Sequence, residues 1–342
     1  MNKPIAPALL SSATPQVGIG LPHESAHLHV AGEATYIDDL PELAGTLHCA
    51  LGLSPVAHGT LKGLSLDGLR ALPGVVAVLT AADIPGPNDC GSIVHDEPSL
   101  AGAELRYLGQ PVFAVIATTR DIARRAAAQA KAVMQIEPLP AVLTPQGAHA
   151  KGQYVLPPMH LVRGEARAAI ERAPHRIKGS FDVGGQEQFY LEGQISYAIP
   201  KENDGMLVHC STQHPSEMQH LVAHALKLHA HHVQVECRRM GGGFGGKETQ
   251  ANPFAAVAAL AALQTGHPVG IQLPRGLDMQ LTGKRHPFLG RFEVGFDDAG
   301  RLLALDVDMV ADGGWSCDLS PPVLMRAMVH VDNASHCAHV RV

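Results

Sequence analysis

A segment with five glycines in six positions constrains the fold of this chain most strongly. Residues 241–246 read Gly-Gly-Gly-Phe-Gly-Gly and are followed by Lys247 and Glu248. Glycine allows close approach of a ligand to the backbone, and one glycine suffices for an ordinary turn, so the segment predicts a ligand-binding loop. A strand-like run precedes it and an alanine-rich helical run follows. We therefore expect its N–H groups near a helix N-terminus, where anions bind.

The loop formally matches two nucleotide-binding motifs, and each match lacks a second requirement. Gly241, Gly243 and Gly246 have G-x-G-x-x-G spacing, but residues 251–275 contain no Asp or Glu to bind a ribose. The segment ending at Lys247 resembles a P-loop, but Glu248 stands where Ser or Thr would bind Mg²⁺. A nucleotide-binding loop is the weaker alternative.

The composition is that of a globular chain with about two domains. Its 342 residues are 46% hydrophobic and 17% charged, with a formal net charge of −6 and 4% aromatic residues. This balance gives no basis for nucleic acid as a partner. No apolar run reaches the roughly 18 residues of a membrane span, and residues 1–18 lack the apolar core of a secretory signal. We expect a cytoplasmic protein without membrane association.

A proline-rich stretch divides the chain into two predicted units. Five prolines lie from Pro138 to Pro158, which is typical of a linker. The predicted organisation is a flexible tail at residues 1–20, an α+β domain at residues 21–145, a linker at residues 146–160 and a second domain at residues 161–342.

Hydrophobic periodicity predicts the principal elements of both units. In the first unit, residues 75–79 and 112–116 are strand-like, and Thr118 or Thr119 caps a helix that extends to about Gln135. In the second unit the predictions are helices at residues 163–172, 217–228 and 251–264, strands at residues 206–211 and 232–238, and a β-hairpin at residues 291–308. The helix at 251–264 is apolar nearly all round, which indicates burial.

The cysteines and histidines do not form a recognisable metal-binding motif. The six cysteines include no C-x-x-C pair, so they fit neither a zinc ribbon nor an iron–sulfur site and are expected to be small buried residues. His229, His231 and His232 lie close in sequence without an H-E-x-x-H motif or carboxylate partner. We interpret them as a surface cluster.

Several further motifs occur in a fixed order along the chain. They are residues 23–26, 29–34, 36–39, 108–112, 185–192, 211–213 and 282–288. Together with residues 239–248, these motifs resemble the molybdenum-binding subunit of the xanthine dehydrogenase/aldehyde oxidase family of molybdenum hydroxylases. The resemblance extends from about residue 17 to about residue 334.

The resemblance implies an α+β fold in which an α/β hammerhead domain precedes the first part of a molybdopterin-binding domain. It also implies a molybdenum–molybdopterin cofactor and the hydroxylation of an electron-poor purine carbon, in xanthine or hypoxanthine, with oxygen from water. Electrons would leave through 2Fe-2S clusters and FAD to NAD. Because this chain has no iron–sulfur motif, those centres are expected on a partner subunit.

The resemblance assigns five residues to the cofactor. Gln213 resembles the glutamine whose amide hydrogen-bonds the molybdenum centre, and Phe244 resembles the loop residue whose backbone lies against the cofactor. Gly242, Gly243 and Gly245 are the neighbouring residues of that loop. A neutral amide donates a hydrogen bond without adding charge. Gln213 and Phe244 are therefore expected beside molybdenum without coordinating it through a charged group.

Two residues resemble the substrate-binding groups of the purine-oxidising branch. Glu248 resembles the carboxylate that hydrogen-bonds the purine, and Arg326 the arginine that stabilises negative charge on the substrate. A carboxylate can share a proton with a heterocycle, and a guanidinium stays charged and offers fixed donors. The resemblance places the catalytic glutamate base and further cofactor-binding segments beyond residue 342.

The chain alone is therefore expected to be inactive, with the remaining C-terminal half of the molybdenum subunit as a required partner. Two alternatives stay open. One is a truncated, non-catalytic fragment that keeps only structural and interaction roles. The other is a molybdenum hydroxylase that acts on aldehydes or other N-heterocycles.

Overall fold

The computed structural model describes residues 17–342, so most of the tail predicted at residues 1–20 lies outside the described residues. Fifteen strands are found in the described part of the chain: β1 (Leu47–Leu53), β2 (Gly59–Leu64), β3 (Val75–Thr80), β4 (Glu104–Leu105), β5 (Pro111–Ala117), β6 (Met134–Pro138), β7 (Val162–Arg163), β8 (His175–Val183), β9 (Ile195–Pro200), β10 (Met206–Cys210), β11 (Val233–Glu236), β12 (Val269–Gln272), β13 (Phe288–Phe296), β14 (Leu302–Ala311) and β15 (His339–Arg341).

The same part of the chain contains ten α-helices: α1 (Ala26–Ala31), α2 (Asp67–Arg70), α3 (Arg120–Ala127), α4 (Ala130–Val133), α5 (Pro145–Ala150), α6 (Ala166–Arg172), α7 (Pro215–Ala225), α8 (Asn252–Thr265), α9 (Arg275–Leu281) and α10 (Ser320–Val329). Three short 3₁₀ helices lie at Ile37–Asp39, Ala81–Asp83 and Ala230–His232. None of the helices within residues 17–342 is long and apolar enough to cross a membrane.

The strands form three sheets. The largest has seven strands in the order β11-β10-β9-β12-β1-β5-β3, the second has five in the order β7-β15-β14-β13-β8, and the third has three in the order β4-β2-β6. Strands from both sides of the predicted linker share the seven-stranded sheet, because β1 pairs in parallel with β12. The division into separate domains therefore stays a prediction.

The principal core lies against the seven-stranded sheet and positions the glycine loop. It joins α7 and α8 to β1, β5, β9, β10 and β12, and ten residues of α8 are buried. Small alanine side chains let α8 pack closely on the sheet, which confirms the predicted buried helix. A second core packs one face of α3 and α4 against β5.

Two predicted helices are wrong in their extent, and the predicted linker contains a short helix. The single helix expected to reach Gln135 is two helices, α3 ending at Ala127 and α4 ending at Val133, and the residues that follow form β6 and pair with β2. The helix expected at residues 163–172 begins only at Ala166, since β7 pairs with β15 and Gly164 turns the chain with φ of 63°. The predicted linker contains α5, whose first turn is capped by Thr144 accepting from the Gly147 N–H.

The remaining element predictions are confirmed within three residues. They are strands β3, β5, β10 and β11, helices α7 and α8, and the hairpin β13–β14. Thr119 is the helix N-cap, with its hydroxyl accepting from the Ile122 N–H. All six cysteines are free thiols and five are buried, as expected.

Candidate functional site

The glycine loop connects β11 to α8 and has a backbone that few residues other than glycine adopt. Gly242 and Gly245 have φ of 97° and 83°, and Phe244 itself has φ of 52°. Left-handed conformations cost energy for residues with a Cβ, which explains the glycines and marks Phe244 as strained. The Phe244 side chain is 75% exposed. An exposed aromatic ring on a strained loop is typical of a binding surface.

One expectation about the loop is wrong. The sequence predicts that the glycines lie near a helix N-terminus and can use its dipole, but residues 247–251 in turns and bends separate them from Asn252, where α8 begins. The loop therefore does not use the helix dipole of α8 directly. Its position is fixed instead by side chains that lie beneath it.

Gln213 lies directly against the loop, and two backbone donors fix its orientation. The N–H groups of Gly245 and Lys247 donate to Gln213 Oε1 at 3.0 and 3.2 Å. Because both partners are donors, the amide oxygen must face the loop and the NH₂ group must face away from it. Gln213 is exposed, so this NH₂ group can donate to a bound ligand. The structure thus brings Gln213 and the predicted loop together.

The loop packs closely on the side chains beneath it and leaves backbone donors for a ligand. A Cβ on Gly243 would lie 2.5 Å from Gln213 Oε1, and a Cβ on Gly246 would lie 2.7 Å from the Tyr190 ring. Among the described residues, the N–H groups of Gly242, Gly243 and Phe244 have no protein acceptor. A neutral amide donor beside free backbone donors suits an anionic, oxygen-rich group such as a molybdenum–molybdopterin cofactor. These residues therefore fit the group that the sequence predicts.

A charged pair is buried beneath the loop. The Lys247 side chain is fully buried, and its Nζ donates to Ser211 Oγ and to the Glu192 carbonyl oxygen, each at 2.6 Å. Glu192 Oε2 is 3.7 Å from Lys247 Nζ and accepts from the Gly241 N–H at 2.8 Å. Burial lowers the pKa of Lys247 below its ordinary value, and Glu192 opposes that shift.

Buried hydrogen bonds extend this support to α9. The Tyr190 hydroxyl donates to Asp278 Oδ1 at 2.6 Å, and burial, together with this hydrogen bond, raises the Tyr190 pKa. Gln194 Nε2 donates to the Gly246 carbonyl oxygen at 3.0 Å and to the Tyr190 hydroxyl at 3.1 Å. The loop thus rests on side chains that already have fixed partners, which limits its movement.

Glu248 lies in the turn that follows the loop. A Cβ on Gly245 would lie 3.7 Å from Glu248 Oε1, so the carboxylate is next to the loop. The next two residues are held from another element, because Thr249 Oγ1 donates to Asp318 Oδ1 at 2.6 Å and Gln250 Nε2 donates to Asp318 Oδ2 at 3.2 Å. Asp318 lies two residues before α10, so the two predicted substrate-binding segments share one anchor.

Arg326 lies in the last turn of α10 and is exposed. Its Nη1 donates to His330 Nε2 at 3.1 Å, one helical turn further along the chain. The structure links α10 to the turn at Glu248 through Asp318, and among the described residues Arg326 and Glu248 form no hydrogen bond or ion pair. The two side chains belong to neighbouring segments rather than to one hydrogen-bonded pair.

A buried carboxyl group adjoins the same anchor. Glu97 is 6% exposed, and Gln250 Nε2 lies 3.4 Å from its Oε1. Burial, and then the negative charge of Asp318, raise the pKa of Glu97 to about 8. Glu97 therefore keeps its proton at neutral pH in the folded chain.

This shift predicts that the free energy of unfolding falls as pH rises from about 5 to 8. The folded chain retains a proton that the unfolded chain releases over this range, so the loss is about 1.4 kcal/mol per pH unit. The free energy of unfolding should therefore differ between pH 6 and pH 8, and Glu97→Gln should reduce this difference by about 2–3 kcal/mol. Denaturant unfolding at both pH values measures the free energy of unfolding, and the exposed Glu104→Gln is the control. Identical pH dependence in wild type and Glu97→Gln would contradict the prediction.

Sequence reasoning missed the residues beneath the loop. Glu192 and Tyr190 belong to a sequence motif, but the sequence predicts no role for them or for Asp278, and it gives Lys247 a role only in the weaker nucleotide-binding alternative. Their separation along the chain gives no periodic signal, so only folding shows that they meet. The predicted surface position of the histidine cluster is confirmed, because His229 and His231 are exposed and His232 is half-buried. In the described part of the chain, no group of three or more His, Cys, Asp or Glu side chains is arranged to hold a metal ion.

Comparison with known proteins agrees with this geometry. A family model for the molybdopterin cofactor-binding domain matches residues 148–342, which is more than half of the chain. A model for the aldehyde oxidase and xanthine dehydrogenase a/b hammerhead domain matches residues 31–138. The first match defines a molybdopterin cofactor-binding domain. The chain belongs to the aldehyde oxidase and xanthine dehydrogenase family, and the predicted order of a hammerhead domain before a molybdopterin-binding domain is confirmed.

Individual relatives match nearly the whole chain. The xanthine dehydrogenase of Drosophila subobscura is 40% identical over 329 residues, and that of Oryza sativa subsp. japonica is 42% identical over 331 residues. Each alignment covers 95% of this chain and 24% of the relative. This chain thus spans about a quarter of the length of these curated relatives.

Solved structures share the fold. The aldehyde oxidoreductase from Desulfovibrio gigas matches with a TM-score of 0.84 and 24% identity, over 94% of this chain and 37% of that chain. The quinoline 2-oxidoreductase from Pseudomonas putida 86 matches with a TM-score of 0.76 and 25% identity, over 85% of this chain and 39% of that chain.

Proposed function

We propose that this chain forms part of the molybdenum-binding subunit of a hydroxylase that oxidises purines such as xanthine or hypoxanthine. The orientation of Gln213 is the observation that carries the proposal. Two backbone donors hold its oxygen against the glycine loop, so its NH₂ group is available to the cofactor. The family membership supplies the cofactor class.

Gln213 and the backbone of Gly242–Phe244 hold the cofactor in this proposal. When bound, the molybdenum–molybdopterin cofactor supplies the two-electron oxidation of the substrate carbon, with oxygen derived from water. The Gln213 NH₂ group and the free N–H groups of the loop donate hydrogen bonds to it. Phe244 is 75% exposed, so its ring is available to contact the bound cofactor or substrate.

Glu248 and Arg326 bind the purine. The Glu248 carboxylate accepts a hydrogen bond from the heterocycle, and the Arg326 guanidinium stabilises negative charge that develops on the purine oxygen. His330 holds one guanidinium nitrogen at 3.1 Å, which leaves the other donors for the substrate. This pair of roles favours a purine over a neutral aldehyde.

In this proposal a partner subunit would hold the 2Fe-2S clusters and FAD that pass electrons to NAD, and the rest of the molybdenum subunit would complete the active site. These 342 residues contain no C-x-x-C motif, so they would not themselves hold the clusters. The general base also belongs to the remaining part of the subunit. Free thiols at all six cysteines suit the reducing cytoplasm in which we place the enzyme.

Arg326→Met tests the substrate class in the reconstituted enzyme, meaning this chain assembled with the remaining molybdenum subunit and the iron–sulfur and flavin subunit. We expect kcat/KM for xanthine to fall about 10²-fold or more and kcat/KM for a neutral aldehyde to change little. Arg301→Met, on the exposed hairpin turn, is the control. Equal losses of kcat/KM with both substrates would contradict the charge-stabilising role of Arg326.

The second candidate is a hydroxylase of aldehydes or of other N-heterocycles. The 25% identity to a quinoline 2-oxidoreductase is the observation that favours it. If the wild-type enzyme turns over an aldehyde or quinoline well and xanthine poorly, this candidate replaces the purine proposal. A folded enzyme that oxidises none of these substrates would favour the structural, non-catalytic fragment.

A further inference from the structure

Lys247 carries a positive charge directly beneath the glycine loop, away from solvent. Its side chain has no exposed surface, and its Nζ has two oxygen acceptors at 2.6 Å, namely Ser211 Oγ and the Glu192 carbonyl oxygen. Nζ also lies 4.5 Å from the centre of the Tyr190 ring. An ammonium group in the interior is costly unless its partners are all in place. The surroundings of Lys247 are therefore built for that charge.

The partner carboxylate reaches the first glycine of the loop. Glu192 Oε2 accepts from the Ser211 hydroxyl at 2.6 Å and from the Gly241 N–H at 2.8 Å. The Glu192 N–H in turn donates to the Gly241 carbonyl oxygen at 3.1 Å. Movement of Glu192 would therefore break the hydrogen bonds of both the N–H and the carbonyl oxygen of Gly241.

The backbone of Lys247 reaches the opposite side, where Gln213 lies. The Lys247 N–H donates to Gln213 Oε1 at 3.2 Å, and its carbonyl oxygen accepts from the Gln213 N–H at 2.9 Å. One residue thus joins the buried charge pair to the amide that faces the ligand. A shift of the Lys247 backbone must change the orientation of Gln213.

We infer that the buried pair of Lys247 and Glu192 is a positioning device that holds the Gln213 amide with its NH₂ group toward the cofactor. This inference rests on the proposed function. The pair does not itself touch the cofactor or substrate in this account. It acts by fixing the loop at Gly241 and at Gly245, between which the cofactor donors lie.

Amide hydrogen exchange in the reconstituted enzyme prepared without cofactor tests the inference, because the Gly245 N–H is protected by Gln213 Oε1. In Lys247→Met, which leaves Glu192 without its cation, we expect exchange at Gly245 to accelerate about tenfold or more. Amides in the centre of α8, such as Ala258, should change less than about twofold. Lys62→Met, which breaks an exposed pair with Glu137, is the matched control and should change neither probe.

Glu192→Gln is the second variant, since it keeps the shape of the side chain and is less disruptive if Lys247→Met does not fold. It should accelerate exchange at Gly245 in the same way and speed release of molybdenum from the reconstituted enzyme on dilution. Unchanged exchange at Gly245, or equal acceleration throughout α8, would overturn the positioning role. If the wild-type enzyme holds no molybdenum, the proposed function fails, whereas the exchange result still decides the role of the pair.

Discussion

Gly243→Ala should reduce the molybdenum content of the reconstituted enzyme at least about tenfold, because the added methyl group displaces Gln213. A Cβ at this position would lie 2.5 Å from Gln213 Oε1, 2.7 Å from its Cδ and 2.9 Å from its Cγ. Gly243 does not have a positive φ, so alanine can adopt its backbone conformation. Gln213 is exposed and can move aside, so the fold should survive.

The measurement is the ratio of molybdenum to protein, together with the midpoint of thermal unfolding. We expect the midpoint to change by no more than about 2 °C. Gly276→Ala is the matched control, because a Cβ there meets nothing within 4 Å and the residue lies in α9. It should leave the molybdenum content unchanged. Full molybdenum content in Gly243→Ala would show that the Gln213 amide does not hold the cofactor.

Glu248→Ala should lower kcat/KM for purine oxidation about 10²-fold or more while leaving the molybdenum content unchanged. The reason is that the loop is held by other groups. Gln213 accepts a hydrogen bond from the loop backbone, and Lys247 anchors the loop from beneath. Among the described residues the Glu248 carboxylate forms no hydrogen bond that holds the loop. Removal of this carboxylate therefore affects the substrate rather than the cofactor.

Steady-state kinetics with xanthine and metal analysis of the same preparation test this prediction. Glu202→Ala, an exposed carboxylate in the β9–β10 turn, controls for loss of one negative charge. Parallel loss of molybdenum and activity in Glu248→Ala would mean that the carboxylate supports the loop. Loss of aldehyde turnover to the same degree as purine turnover would mean that it does not distinguish substrates.

The parts of the fold that depend on local pattern were predictable. Helix α8 is buried on all sides and reads as apolar throughout, and the β13–β14 hairpin alternates about a turn at Gly300. The helix after Thr119 was predicted too long for a non-local reason. Its apolar spacing continues to Val133, but pairing of the next residues with β2 converts them into β6.

In the candidate site, too, some residues could be predicted from the sequence and others become apparent only in the folded chain. The glycine loop stands out in the sequence itself, whereas Gln213 was assigned through the family resemblance, and the fold brings the two within hydrogen-bond distance. The buried pair of Lys247 and Glu192 could not be found in this way, because its two residues lie far apart in the chain and show no shared period. The link from Glu248 to α10 through Asp318 is likewise a product of packing.

The central claim is that the glycine loop and Gln213 hold a molybdenum–molybdopterin cofactor. The most direct test is the ratio of molybdenum to protein in the wild-type reconstituted enzyme, produced in a host that makes the cofactor. We expect a ratio near one atom per chain. A ratio near zero in a folded, fully assembled enzyme would contradict it, because the amide and backbone donors would then face no cofactor.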